Sequence, residues 1–61
     1  MKEFKEGDEV EVINVDNYKD SYAEDVPFKA TITEIVDGWL FWVTSLETGK
    51  VYELYDYQIK E

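Results

Sequence analysis

Residues 28–54, FKATITEIVDGWLFWVTSLETGKVYEL, decide the fold of this chain. The segments on either side of Asp37-Gly38 are rich in β-branched and aromatic residues, which favour strands. An Asp-Gly pair between two such segments predicts a two-residue type I′ hairpin turn. The stretch therefore predicts two consecutive hairpins, with strands at 28–36, 39–46 and 51–54 and turns at 37–38 and 47–50.

The predicted turn at Asp37-Gly38 sets the register of the first hairpin. It pairs Val36 with Trp39 and Ile32 with Val43, and because side chains alternate along a strand, it predicts a core face and an outer face. The core face is expected to carry Phe28, Ala30, Ile32, Val36, Trp39, Phe41 and Val43. The outer face brings an apolar patch together, made of Ile35, Leu40 and Trp42. Trp39 is thus expected inside and Trp42 outside.

The second hairpin has a two-residue turn at Thr48-Gly49 in the favoured register. That turn opposes Val43 to Leu54 and places Tyr52 and Leu54 on the core face. A three-residue loop would oppose Val43 to Glu53, which is a poorer pair.

The flanking segments complete an all-β domain over residues 1–61. Residues 8–15 alternate at period two, as in a half-buried strand. Residues 16–27, DNYKDSYAEDVP, cluster Asp, Asn, Ser and Pro and predict a long first loop. YDYQIKE then predicts one helical turn and a short final strand. Five short strands predict a small barrel, whose closure would remove exposed sheet edges.

Four segments of the chain resemble parts of an SH3-like barrel, and among such barrels the Tudor/KOW-type subgroup. GDEVEV is similar to the first strand after its Gly-Asp turn, and PFKATITEI to the second strand. LETGKVYEL resembles the distal hairpin, and YDYQI the helical turn before the last strand. The resemblance covers residues 7–60 and implies a five-stranded barrel with a short helical turn before its final strand.

The resemblance implies several kinds of binding site. Tudor-type barrels bind methylated Lys or Arg in an aromatic cage, to which the first loop here offers Tyr18 and Tyr22. The loop after the third strand carries no aromatic residue, so Trp42 or Tyr55 would have to substitute. SH3-type peptide binding needs an aromatic shelf, to which Tyr57 is a further candidate. KOW-type barrels bind RNA through basic loops, whereas these loops are acidic.

The charge balance favours cationic partners. Six Lys stand against fifteen Asp and Glu, for a net charge of −9. Such a chain is a poor ligand for nucleic-acid phosphates and for anionic membranes. We therefore expect a protein or basic-peptide partner, with direct nucleic-acid and membrane binding unlikely and a homodimer possible.

Catalysis, cofactors and metals have little support in the sequence. There is no His and no Cys, which removes the commonest bases and zinc ligands. Acidic residues of the first loop, Asp16, Asp20, Glu24 and Asp25, are hard-oxygen ligands, but their spacing is not that of an EF-hand. We expect no enzyme activity, no cofactor and no specific metal site.

The sequence thus predicts a small, non-enzymatic, acidic binding module. The expected binding residues are Tyr18, Tyr22, Ile35, Leu40, Trp42, Tyr55 and Tyr57. Two alternatives remain: an acidic mimic of nucleic acid that inhibits a DNA- or RNA-binding protein, and a self-associating structural subunit. The N-terminus lacks a secretory pattern, so we expect a cytoplasmic location, and the composition fits a bacterial or phage protein.

Overall fold

A computed structural model describes residues 3–19 and 21–61. The chain forms one antiparallel sheet in the order β4-β3-β2-β1-β5. The strands are β1 Glu9–Val12, β2 Phe28–Asp37, β3 Leu40–Ser45, β4 Val51–Tyr55 and β5 Ile59–Lys60, with a 3-10 turn at Asp56–Gln58. The sheet curls into a half-barrel compatible with an SH3-like barrel, so the predicted fold class is confirmed. No helix in the described ranges is long and apolar enough to cross a membrane.

The concave side of the sheet holds the core. Its buried hydrophobic residues are Val10, Val12, Phe28, Ala30, Ile32, Phe41, Val43, Tyr52, Leu54 and Ile59. Phe4 packs on this cluster, with its ring edge-on to Phe41 at 5.3 Å. Burying a side chain of this size contributes roughly 1.5–3 kcal/mol. Five of the seven core residues predicted for the first hairpin are buried and so confirmed: Phe28, Ala30, Ile32, Phe41 and Val43.

Trp39 and Val36 are the two core predictions that were wrong. The predicted pairing holds at Ile32↔Val43, but two irregularities in β2 then shift the register, so that Ile35 faces Phe41. A bulge adds a residue to one strand and reverses which of the following residues face inward. Ile35 consequently packs against the core, and Val36 is 49% exposed. Trp39, which the shifted register places in the turn, is 50% exposed.

The first hairpin turn also differs from the predicted type. Asp37 pairs with Leu40, so Gly38 and Trp39 form the turn instead of Asp37-Gly38. A type I′ turn needs positive φ at both central residues, and neither Gly38 nor Trp39 has one. The Asp37 carboxylate accepts the Gly38 N–H at 2.8 Å, which stabilises the turn locally.

The second hairpin has a four-residue loop, so its predicted register was also wrong. Val43 faces Tyr52, two positions from the predicted partner Leu54. The Ser45 hydroxyl accepts the N–H groups of Glu47 and Thr48, which anchors the longer loop. A shift of two residues leaves the facing unchanged, and Tyr52 and Leu54 are buried as predicted.

Candidate functional site

The first loop covers the free edge of β4. The Tyr18 hydroxyl accepts the Glu53 N–H and donates to the Glu53 carbonyl at 3.1 Å, and the Asn17 amide donates to the same carbonyl at 3.1 Å. The Tyr22 hydroxyl donates to the Val51 carbonyl at 2.6 Å. Edge strands present backbone groups that can pair with another chain. Here side chains from the loop satisfy them, and this fixes the positions of both tyrosines.

The two loop tyrosines connect the core to the surface. Their rings stack at a centroid distance of 5.3 Å, and each meets the buried Tyr52 ring edge-on, at 5.2 Å for Tyr18 and 5.4 Å for Tyr22. Burial raises the pKa of the Tyr18 phenol. The sequence left open whether these tyrosines cover the core or line a site. Tyr18 packs on the core and also lines the groove described next.

An open groove of about 310 Å³ lies beside this cluster. It is lined by Tyr18, Tyr22, Trp42, Val51 and Glu53, which we call the edge groove. Trp42 is 41% exposed, and its indole N–H donates to the Glu53 carboxylate at 3.0 Å. The Glu53 carboxylate is thereby held against the edge of the Trp42 indole, in a groove whose other lining is largely apolar.

A lysine of the chain itself lies at the rim of the edge groove. Lys50 Nζ is 5.4 Å from the centroid of the Tyr22 ring and donates to the Tyr22 carbonyl at 2.9 Å. A separation below about 6 Å is within the range of a cation–π interaction. One ring of the groove therefore already attracts an ammonium group.

A second aromatic group lies at the other end of β4. Trp39 stacks on Tyr55, and Tyr55 on Tyr57, both at 5.8 Å with nearly parallel planes. We call these three rings the aromatic ladder; their exposed fractions are 50%, 38% and 64%. The Asp56 N–H donates to the Trp39 carbonyl at 3.0 Å, which holds the β2–β3 turn against the end of β4.

Five of the seven predicted binding residues fall into these two groups. The edge groove contains Tyr18, Tyr22 and Trp42, and the ladder contains Tyr55 and Tyr57, with half-buried Leu40 opposite Tyr55. Ile35 is turned toward the core and leaves the predicted apolar patch.

Three further residues of these groups were missed. Val51 and Glu53 were overlooked although the alternation in VYELY places them outward with Tyr55. Trp39 was assigned to the core because the bulges in β2 carry no recognisable sequence signal.

Glu24 anchors the end of the first loop beneath the edge groove. Its carboxylate accepts hydrogen bonds from the hydroxyl groups of Ser45 at 2.8 Å, Thr48 at 2.6 Å and Tyr52 at 2.9 Å. Burial by itself would raise the pKa of Glu24, but these three hydrogen bonds outweigh it and hold that pKa below its ordinary value. Burial and the bond to Glu24 raise the pKa of Tyr52 to about 12. The Glu24 carboxylate thus joins the first loop to the β3–β4 turn through hydrogen bonds.

The first loop was also considered as a calcium site. Asp20, one of the four acids of that hypothesis, lies outside the described residues. Across residues 3–19 and 21–61, no three acidic side chains are grouped so as to hold a metal ion. Glu24 is instead used in the hydroxyl network.

Comparison with protein-family models, curated proteins and solved structures gives no match. The function is therefore argued from the edge groove, the aromatic ladder and the charge of the chain.

Proposed function

We propose that this protein is a non-enzymatic binding module that takes a lysine or arginine side chain of a basic protein partner into the edge groove. The observation that carries the proposal is the composition of the groove, where the rings of Tyr22 and Trp42 adjoin the Glu53 carboxylate. Aromatic faces attract cations, and a nearby carboxylate adds a second attraction. The net charge of −9 would draw a basic partner toward the surface.

The position of Lys50 supports this choice of ligand. Its ammonium group already uses the Tyr22 ring, at 5.4 Å from the centroid. The same attraction is available to an ammonium or guanidinium group from outside, and the exposed Trp42 indole offers the better cation–π surface. Lys50 is then a competitor that an incoming cation must displace.

The finer resemblance to Tudor-type barrels agrees with cation recognition. In this chain both tyrosines come from the first loop, the third ring is Trp42 of β3, and the carboxylate is Glu53 of β4. We propose the site as a cation-binding groove assembled across the loop, β3 and β4.

A nucleic-acid mimic is the second candidate function. Within the described part of the chain, the one ion pair joins Lys60 to Glu11 at 3.6 Å, so most carboxylates remain available to an outside partner. A mimic would present its charge broadly and would not depend on the aromatic groove. The two functions therefore differ in which substitutions abolish binding.

The test is a titration with short peptides, followed by NMR at the Trp42 indole N–H. The probes are capped peptides that carry one Lys or one Arg between Ser and Gly residues, and a matched Gln peptide. We expect the cationic peptides to shift the Trp42 signal and the Gln peptide to leave it in place. An unmoved Trp42 signal with both cations would overturn the proposal.

Paired variants separate the site from the overall charge. Glu53→Gln should weaken cation binding several-fold, whereas Glu9→Gln, which removes the same charge from an exposed residue of β1, should not. Lys50→Gln should strengthen binding because it frees the Tyr22 ring, and Lys29→Gln on β2 is its control. If Glu53→Gln and Glu9→Gln weaken binding equally, charge alone governs binding, as the mimic hypothesis predicts.

A further inference from the structure

The edge groove and the aromatic ladder lie on the same side of β4. Val51, Glu53 and Tyr55 point outward, alternating with buried Tyr52 and Leu54. Val51 and Glu53 belong to the groove, and Tyr55 is the middle ring of the ladder. Two exposed aromatic groups thus lie along one strand. Val51 of the groove and Tyr55 of the ladder are four residues apart, which is about 13 Å at 3.3 Å per residue.

The ladder is suited to a guanidinium group. Its three rings are parallel, so a planar cation can extend the stack on the outer face of Trp39 or Tyr57, the most exposed of the three residues. Arginine stacks on aromatic faces in this way, and lysine does not. Asp56 lies between Tyr55 and Tyr57 in the chain and Asp37 two positions before Trp39, and both add negative charge to this end of β4.

A ligand cannot reach this surface by adding a strand to β4. The Val51 carbonyl is taken by the Tyr22 hydroxyl, and the N–H and carbonyl of Glu53 are taken by the Tyr18 hydroxyl and the Asn17 amide. A ligand running along β4 must therefore be bound through its side chains. In an extended peptide, residues i, i+2 and i+4 point to one side.

We infer that the ligand is an extended basic segment with two cationic residues at positions i and i+4, one held in the edge groove and an arginine stacked on the aromatic ladder. The spacing follows from the separation of about 13 Å between Tyr55 and Val51, where the Tyr22 hydroxyl is bonded at the far end of the groove; four residues of extended chain span it. Spacings of three or five direct the second side chain to the other side of the peptide. This inference rests on the proposed function, because it needs the edge groove to bind a cation.

The test uses capped peptides with two Arg residues separated by one, two, three or four Thr residues, and a peptide with a single Arg. Threonine favours an extended backbone. Dissociation constants are measured at one ionic strength by NMR of both indole N–H groups. We expect the peptide with three intervening residues to bind about tenfold more tightly than the single-Arg peptide, through the effective concentration of the second cation. It should also shift the signals of both Trp39 and Trp42.

Two variants locate the second cation. The double variant Trp39→Ala/Tyr57→Ala, which removes both outer faces of the ladder, should remove the tenfold gain, while Glu61→Gln, an exposed residue after β5, should preserve it. Retention of a dispersed Trp42 indole signal verifies that each variant is folded.

The outcomes distinguish this inference from the proposed function. If the single-Arg peptide leaves Trp42 unmoved, the proposed function fails, and the spacing rule fails with it. If that peptide shifts Trp42 but all four spacings bind equally, only the present inference fails. Tighter binding of any other spacer than the three-residue one, or a gain that survives Trp39→Ala/Tyr57→Ala, would also overturn it.

Discussion

At the scale of single residues, the Glu24 side chain is the acceptor of several hydrogen bonds. Three hydroxyl groups donate to its carboxylate, and its own N–H donates to the Tyr52 hydroxyl at 3.1 Å. Hydrogen bonds to a charged group contribute about 1.5–3 kcal/mol, more than neutral ones. A single carboxylate thereby holds the loop that carries Tyr18 and Tyr22 in the position that forms the edge groove.

Replacement of Glu24 by Gln is expected to destabilise the fold. The amide keeps one acceptor oxygen but cannot accept all three hydroxyls, so we expect a loss of about 1–3 kcal/mol in the free energy of unfolding near neutral pH. Urea denaturation measures it. The control is Glu47→Gln, which removes the same charge from an exposed residue of the β3–β4 loop. Equal stabilities of the two variants would contradict the role of Glu24.

The same difference should depend on pH. The pKa of folded Glu24 lies below its ordinary value of 4.5, so the folded state binds the proton less tightly than the unfolded chain. The stabilisation is complete above pH 4.5 and is lost as pH falls through the lower folded pKa. The gap in stability between the native protein and Glu24→Gln should therefore narrow as the pH is lowered below 4.5. A constant gap would show that the charge of Glu24 is not what stabilises the loop.

These residue-scale contacts were beyond the reach of the sequence. Glu24 was treated as a solvated acid or a metal ligand, because its partners Ser45, Thr48 and Tyr52 lie more than twenty positions away. Alternation along a strand predicts which way Tyr52 points, but it does not predict which loop side chain reaches its hydroxyl.

At the scale of elements, the first loop protects the edge of β4. The sequence predicts that closure of the barrel removes the sheet edges. In the structure, β4 is an outer strand, and the loop covers it with two hydroxyl groups and an amide. This arrangement explains why tyrosines, which offer a hydroxyl as well as a ring, occupy positions 18 and 22.

Removal of the Tyr18 hydroxyl tests this protection. Tyr18→Phe keeps the ring and leaves the Glu53 N–H without its acceptor, so we expect a loss of about 1–2 kcal/mol in stability. Amide exchange of Glu53 should accelerate relative to Tyr52 and Leu54, whose amides face β3. Tyr57→Phe is the control, since the Tyr57 hydroxyl makes no hydrogen bond within residues 3–19 and 21–61. Unchanged exchange at Glu53 would refute the capping role.

At this scale, the strands could be predicted from the sequence but the registers of the two hairpins could not. The strands were predicted because β-branched and aromatic residues cluster, and the facing of Tyr52 and Leu54 survived an error of two residues. The facing of Trp39 did not survive, because the two bulges in β2 together move the register by two and place Trp39 in the turn. Bulges depend on tertiary packing around Ile35 and Phe41, and no local pattern in TITEIVDG indicates them.

At the scale of the whole molecule, composition and turn spacing predicted the fold class better than residue alternation predicted individual contacts. The aromatic content and the spacing of the turns indicated a small all-β domain, and the structure is a five-stranded half-barrel. The edge groove was anticipated in part, since Tyr18, Tyr22 and Trp42 were named from their loop and outer-face positions. The ladder was missed as a unit, because it joins a turn residue, Trp39, to the end of β4.

The charge of the molecule leads to a prediction about salt. Fifteen acidic residues stand against six lysines, and within the described ranges one ion pair offsets them. Self-repulsion destabilises a compact anion, and salt screens it because the Debye length falls to about 10 Å at 0.1 M. We expect Tm to rise between low and moderate salt, by roughly 2–8 °C for a relief of about 0.5–1 kcal/mol. Thermal unfolding followed by circular dichroism measures the shift.

The matched variant Glu9→Lys makes the cause of this rise testable. It reduces the net negative charge from −9 to −7 at an exposed residue of β1 that is away from both aromatic groups. If repulsion is the cause, this variant should melt higher than the native protein at low salt and should gain less from added salt. Sodium and potassium chloride should act alike, because screening depends on ionic strength alone. A Tm that does not respond to salt would mean that the carboxylates are already compensated, and it would remove the electrostatic part of the case for a basic partner.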